Sequence, residues 1–167
     1  MSSEADLPWF ILRTKSRQEN IVEGCLKEKL ITAYLPRRKT VRVRRDRRIL
    51  LDLPLFPGYI FVQPKPNQFH DLSYVPGSCG LLILGNQPAK MPARDLESVR
   101  IVVLSGERVD VNSELIPGKK VEVLSGPFAG VKGELVKIKN QEKLLINAPV
   151  LGKSVNVEIN SANIHVL

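Results

Sequence analysis

A chain of 167 residues with 43% hydrophobic side chains is long enough for one ordinary domain or two small ones around a packed core, which excludes a disordered tail. No apolar run approaches the roughly 18 residues that span a bilayer. The start, Met-Ser-Ser-Glu-Ala-Asp, has neither a basic leader nor a long apolar segment, so the expectation is a cytoplasmic protein with no membrane partner. The net charge of +8 is concentrated: between Arg37 and Arg48, eight basic residues face Asp46 alone, leaving about one net charge for the rest of the chain. A patch this dense points to a polyanionic partner.

Trp9 to Thr14 reads as a first strand. Ser16-Arg17-Gln18-Glu19 has the form of a capping box, so a helix is expected to begin there, with Ile21, Val22, Cys25, Leu26 and Leu30 on its apolar face. Gly24 inside it costs about 1 kcal/mol relative to Ala, which a close approach to a sheet would compensate. Ala33 to Leu35 is a short second strand.

Lys39 to Asp52 reads as a basic β-hairpin: Val41 and Val43 alternate with Arg42 and Arg44, Arg45 to Arg48 form the turn, and Ile49 to Leu51 return. A solvated edge protected by charge is the plain alternative. Pro54 and Pro57 delay regular structure until Gly58 bends the chain. Tyr59 to Val62 then alternate as a strand that is apolar on both faces. Such a strand is either central and covered on both sides, or it offers one face to a partner.

Asn67 to Tyr74 is expected as a short helix, Cys79 to Leu84 as a strand, and Pro92 to about Gly106 as a second long helix carrying Leu96, Val99 and Val103 on one face. Residues 6–106 thus make a compact α+β domain. Glu107 to Ile116 has no clear period and is expected as a flexible linker. From Pro117 onward, alternating runs at 119–124, 131–139, 143–148, 154–160 and 164–166, cornered by Gly126, Gly130, Gly133 and Gly152, predict a small all-β barrel or strongly bent sheet.

Cys25 and Cys79 lack metal-site spacing and are expected as buried apolar fillers. His70 and His165 adjoin no nucleophile motif, and no phosphate-binding loop, dinucleotide fingerprint or HExxH pattern occurs. Neither an enzyme nor a cofactor is expected.

With Trp9-Phe10 at its head and Phe56-Pro57-Gly58-Tyr59 in its signature strand, the first domain resembles the amino-terminal (NGN) domain of the NusG family of transcription elongation factors. The second resembles a KOW domain, from Pro117-Gly118-Lys119-Lys120-Val121-Glu122-Val123 through Gly126-Pro127-Phe128-Ala129-Gly130 to Gly133-Glu134. The resemblance implies an antiparallel NGN sheet, a linker and an SH3-like KOW barrel.

It also implies docking on the RNA polymerase clamp through Trp9, Phe56, Pro57 and Tyr59. Upstream or non-template DNA would lie along Arg37, Arg38, Arg42, Arg44, Arg45, Arg47 and Arg48. A ribosomal protein or termination factor would be recruited, by a monomeric chain, through the loop that holds Phe128; the Gly-Pro-Phe-Ala-Gly loop leaves that ring little room to bury itself, so it is expected to be exposed, and an aromatic plug closing the barrel end is the plain alternative. The match departs from the family at Val150-Leu151-Gly152-Lys153, where an aromatic before Gly-Arg is usual; this and the arginine-rich hairpin fit a specialised RfaH-like antitermination paralog. A KOW-type, ribosome-associated RNA-binding protein is the alternative, although the second domain has no comparable basic run.

Overall fold

The computed structural model describes residues 6–160 and 164–167. Contacts divide the chain into two units, residues 1–36 with 54–93 and residues 37–53 with 94–167. The expected domain break at 106–117 therefore differs from the contact grouping, which places the second long helix with the all-β part.

In the first unit, β1 (Trp9–Thr14) is followed by α1 (Glu19–Glu28) and β2 (Thr32–Tyr34). The chain then runs out through β3 (Arg37–Arg44) and back through β4 (Arg47–Pro54), the expected hairpin. It returns as β5 (Tyr59–Gln63), two short 3-10 turns at Pro66–Gln68 and His70–Tyr74, and then β6 (Ser78–Leu81). A small hairpin of β7 (Ile83–Leu84) and β8 (Gln87–Pro88) leads to β9 (Lys90–Met91).

The main sheet has the order β2-β5-β1-β6, and β9 extends the β6 side by pairing the start of β1. All its pairings are antiparallel. β5 is thus central, which explains why Ile60, Phe61 and Val62 are all fully buried. On one face Phe10, Leu12, Ile60 and Val62 pack with Val22 and Leu26 of α1 and with Ile31, Leu35, Leu72 and Val75.

α1 departs from its sequence pattern at both ends. No side chain caps it, and Glu19 does not reach back to its own helix start. Its buried carboxylate crosses to the signature segment, where Oε1 accepts the Gly58 amide at 3.1 Å. At the other end, Ile31 donates to Leu26 O (2.9 Å) and Leu30 to Lys27 O (3.0 Å), a Schellman stop. That stop places Leu30 at φ 60° and leaves it exposed, although the helical pattern assigned it to the core. Ile21 is exposed as well. Nothing lies within 4 Å of where a Cβ on Gly24 would sit, so this glycine marks no close approach to the sheet. Cys79, expected inside, is exposed, while Cys25 is half-buried; both are free.

Besides the β3–β4 ribbon, the second unit contains α2 (Ala93–Leu104), β10 (Asp110–Asn112), β11 (Lys119–Val123), β12 (Lys132–Ile138), β13 (Gln141–Ala148), β14 (Lys153–Glu158) and β15 (Ile164–Val166). Its sheet has the order β10-β14-β13-β12-β11-β15. Among the described residues no pairing joins β10 to β15, so no closed barrel forms and the strands make one open six-stranded sheet. Gly133 is no corner: it lies within β12, where a Cβ would collide with the Leu145 carbonyl of the neighbouring strand.

Residues 107–116, expected as a flexible linker, contribute the strand β10 to this sheet. β10 pairs antiparallel with β14, Asp110 facing Asn156 and Asn112 facing Ser154. Asn147 clasps Ile116 through both amide groups (3.0 and 3.1 Å), and Ser154 Oγ donates to Glu114 O at 2.8 Å. α2 joins the same unit through buried Ser98, whose hydroxyl accepts the Lys132 amide (3.2 Å) and donates to the Lys132 carbonyl (3.4 Å). No helix among the described residues is long and apolar enough to cross a membrane.

Candidate functional site

The signature segment enters the sheet through a bend that its own residues dictate. Gly58 holds φ at 88°, a value that favours glycine. Its amide is bound by Glu19 (3.1 Å) and its carbonyl by the Thr14 amide (2.8 Å), so the bend is fixed on both sides. Tyr59 then starts β5, directly opposite Arg13 of β1, and Phe61 lies opposite Ile11. Because side chains alternate, Trp9, Ile11 and Arg13 share one face of β1 with Tyr59 and Phe61, the face opposite that covered by α1.

On that face the structure separates residues that the sequence reading grouped. Trp9 and Tyr59 are half-buried and Pro57 is exposed, so all three reach the surface. Phe56 does not. It is 1% exposed and meets Phe61 edge-on at 6.0 Å between ring centroids, so it supports the strand from below. The expectation that Phe56 presents a surface is corrected, because its ring is enclosed against Phe61. Arg13 was missed. It is exposed beside Tyr59 and donates to the Cys79 carbonyl at 3.2 Å, a placement that the β1 alternation alone could have revealed.

The arginine hairpin forms with a tighter turn than expected. Arg45 and Asp46 have φ of 44° and 64°, the two left-handed residues of a type I′ turn, so Arg47 and Arg48 belong to the return strand. Below the ribbon, Leu55 donates to Pro36 O at 2.8 Å. A two-residue turn at one end and this bond at the other set one register, with Arg44 opposite Arg47 and Arg42 opposite Ile49. Arg38, Arg42, Arg44 and Arg47 therefore share one face, while Arg37 and Arg48 lie on the other and Arg45 sits at the tip. Arg42, Arg44, Arg45, Arg47 and Arg48 are exposed, and Arg37 and Arg38 are half-buried at the base.

Phe128, expected to be exposed for a partner, is 6% exposed. Its loop folds back on itself, the Val131 amide donating to the Phe128 carbonyl (3.0 Å) and Gly130 to Val123 O (2.9 Å), and the ring joins the interior. A Gly-Pro-Phe-Ala-Gly loop tight enough to close in this way tucks its side chain under itself, so the buried alternative holds and the expected exposure does not.

Cavities on the second unit are lined by Glu107, Asp110, Lys143, Asn156 and Glu158, with ion pairs Arg108–Asp110 at 3.5 Å and Lys143–Glu158 at 3.4 Å. They bring no nucleophile to a base. No cluster of three or more His, Cys, Asp or Glu side chains that could hold a metal occurs among the described residues.

Comparison with known proteins bears on the same two regions. Residues 7–100 match the family model described as "Transcription termination factor nusG", and residues 117–147 match the KOW motif. The "Transcription termination/antitermination protein NusG" of Pseudomonas aeruginosa is 27% identical over 171 residues, covering 93% of this chain and 96% of that one. That of Streptococcus pyogenes serotype M3 is 27% identical over 163 residues, covering 88% and 90%. Among solved structures, "Domain interaction in Thermotoga maritima NusG" matches with a TM-score of 0.55 at 20% identity, over 99% of both chains, a likeness of fold.

Proposed function

We propose, since the chain belongs to the NusG family of transcription termination/antitermination factors, that it binds the clamp of RNA polymerase through the sheet face bearing Trp9, Pro57 and Tyr59. In this reading it favours processive elongation and antitermination. The arginine hairpin lies on upstream or non-template DNA, and the KOW domain recruits a ribosomal protein or a termination factor. The chain acts as a monomer in the cytoplasm, by contact and not by catalysis.

The observation that carries the docking assignment is Tyr59. It is a large aromatic held at the surface end of a central strand whose next three residues are fully buried, with Arg13 exposed beside it. A half-buried tyrosine anchored in this way combines apolar area with low conformational freedom, the combination that dominates interfaces. The five exposed arginines of the hairpin support the nucleic-acid assignment, because a polyanion balances a charge that has Asp46 and Asp52 as its carboxylates within the hairpin.

The test is binding of purified full-length protein to core RNA polymerase. Tyr59→Ala should weaken it by about 2 kcal/mol, roughly thirtyfold, with thermal unfolding still cooperative. Unchanged affinity in the folded variant would remove Tyr59 from the interface. Recovery of ribosomal subunits without polymerase would instead favour the ribosome-associated alternative.

A further inference from the structure

One end of the sheet face that bears Tyr59 holds a charge with no counterpart in the fold. Arg13 lies opposite Tyr59 of β5 on one side and Gly80 of β6 on the other. The Thr14 amide donates to Gly58 O at 2.8 Å, which makes Thr14–Gly58 a hydrogen-bonded pair and Arg13–Tyr59 one of the closer, non-hydrogen-bonded kind. Their side chains therefore leave the sheet about 5 Å apart. Gly80 brings no side chain, and nothing lies within 4 Å of where a Cβ there would sit. Arg13 is accordingly exposed, while Ile11 and Phe61, the next pair on the same face, are fully buried.

Among the described residues the Arg13 guanidinium has one hydrogen-bond partner, the Cys79 carbonyl at 3.2 Å, and no carboxylate. That bond occupies one donor of the fork and restrains the others. Glu19, bound to Gly58, belongs to α1 on the opposite face. A partner that covers Tyr59 must also cover Arg13, because the two side chains are neighbours. A guanidinium taken out of water without a counter-charge costs more than the adjoining tyrosine contact returns. The occupant therefore has to bring an acceptor, and a carboxylate matches the fork with two parallel bonds.

From this we infer that RNA polymerase presents an Asp or Glu side chain to Arg13, and that this ion pair, set beside Tyr59, decides which protein surface the face accepts. The pairing rests on the function proposed above, which seats polymerase on Tyr59. An apolar surface lacking the acid is rejected, since it would strand the charge. Docking encloses the pair, so it acts chiefly on the lifetime of the complex.

The experiment compares binding to core polymerase, without nucleic acid, for wild type, Arg13→Gln, Arg13→Lys, Arg13→Glu and Tyr59→Ala. Arg13→Gln should weaken binding about thirtyfold through faster dissociation, and Arg13→Lys should recover part of that loss. Arg13→Glu should weaken it about a hundredfold or more. Carbodiimide treatment of the bound Arg13→Lys variant should join position 13 to an acidic polymerase residue, and a bound variant that gives no such link overturns the carboxylate. Wild-type affinity in Arg13→Gln, with Tyr59→Ala still weakened, overturns the ion pair and leaves the docking face standing. A lower unfolding temperature without loss of affinity does the same, by making Arg13 a tie between β1 and β6 alone. A loss that appears only when nucleic acid is present assigns Arg13 to phosphate and equally overturns the pair. Wild-type affinity in both Arg13→Gln and Tyr59→Ala overturns the function on which the pair rests.

Discussion

Replacing Arg42, Arg44 and Arg47 with glutamine tests the nucleic-acid face through a quantity that stability changes do not mimic. The three share one face of the β3–β4 ribbon near its tip and are exposed, so they can engage phosphates together. Each phosphate neutralised contributes about −0.9 to the slope of log affinity against log salt on duplex DNA, so removing three should flatten the slope by about 2.7. Between 50 and 200 mM salt a slope of that size corresponds to roughly a fortyfold change in affinity, well within the reach of fluorescence anisotropy with a short labelled duplex. Lys137→Gln with Lys139→Gln, both exposed and outside the hairpin, is the control and should leave the slope within about half a unit of wild type. Equal slopes for wild type and the triple variant, with both folded, would refute the assignment and leave a solvated edge. A preference for one sequence that disappears with a single arginine would show base reading, of the kind a bidentate contact to guanine gives.

Gly24→Ala should stabilise the protein by about 0.5–1 kcal/mol in urea unfolding, because the helix gains a residue of better propensity in open space; destabilisation would show that the glycine is required. Phe128→Ala should cost about 3–5 kcal/mol, as for a core aromatic, and a loss below about 0.5 kcal/mol would return it to the surface. Burial holds the Asp95 carboxyl above its ordinary value, with Arg94 pulling it down. A folded value above the unfolded one means a contribution that is full at low pH and lost as pH rises through the ordinary carboxylate range. The stability of Asp95→Asn relative to wild type should therefore increase between about pH 3 and pH 6, and a constant difference in urea unfolding would exclude this role.

What the sequence determined by itself is local or periodic. Trp9–Thr14 is a strand as its sequence predicts, and the five runs after Pro117 recur as β11 to β15 within a residue or two, because alternation and turn residues act over short distances. The order of the Phe56-Pro57-Gly58-Tyr59 strand and the later KOW motif was legible for the same reason. So was the separation of Val41 and Val43 from Arg42 and Arg44.

Tertiary structure decided matters that depend on residues distant in the chain. Glu19 had a plausible partner three residues away and instead bonds Gly58, 39 residues on, because its own buried carboxylate needs a donor and the partly buried Gly58 amide supplies one. Phe56 and Phe128 look alike in sequence to aromatics awaiting a partner, yet each is enclosed by its own fold. The connector at 107–116 has no strand pattern of its own. It becomes one because β14 offers an edge, and Asn147 and Ser154, more than 30 residues later, satisfy its backbone. Which side of the hairpin each arginine occupies was also beyond sequence, since it hangs on whether the turn takes two residues or four, and one residue of slip exchanges the faces.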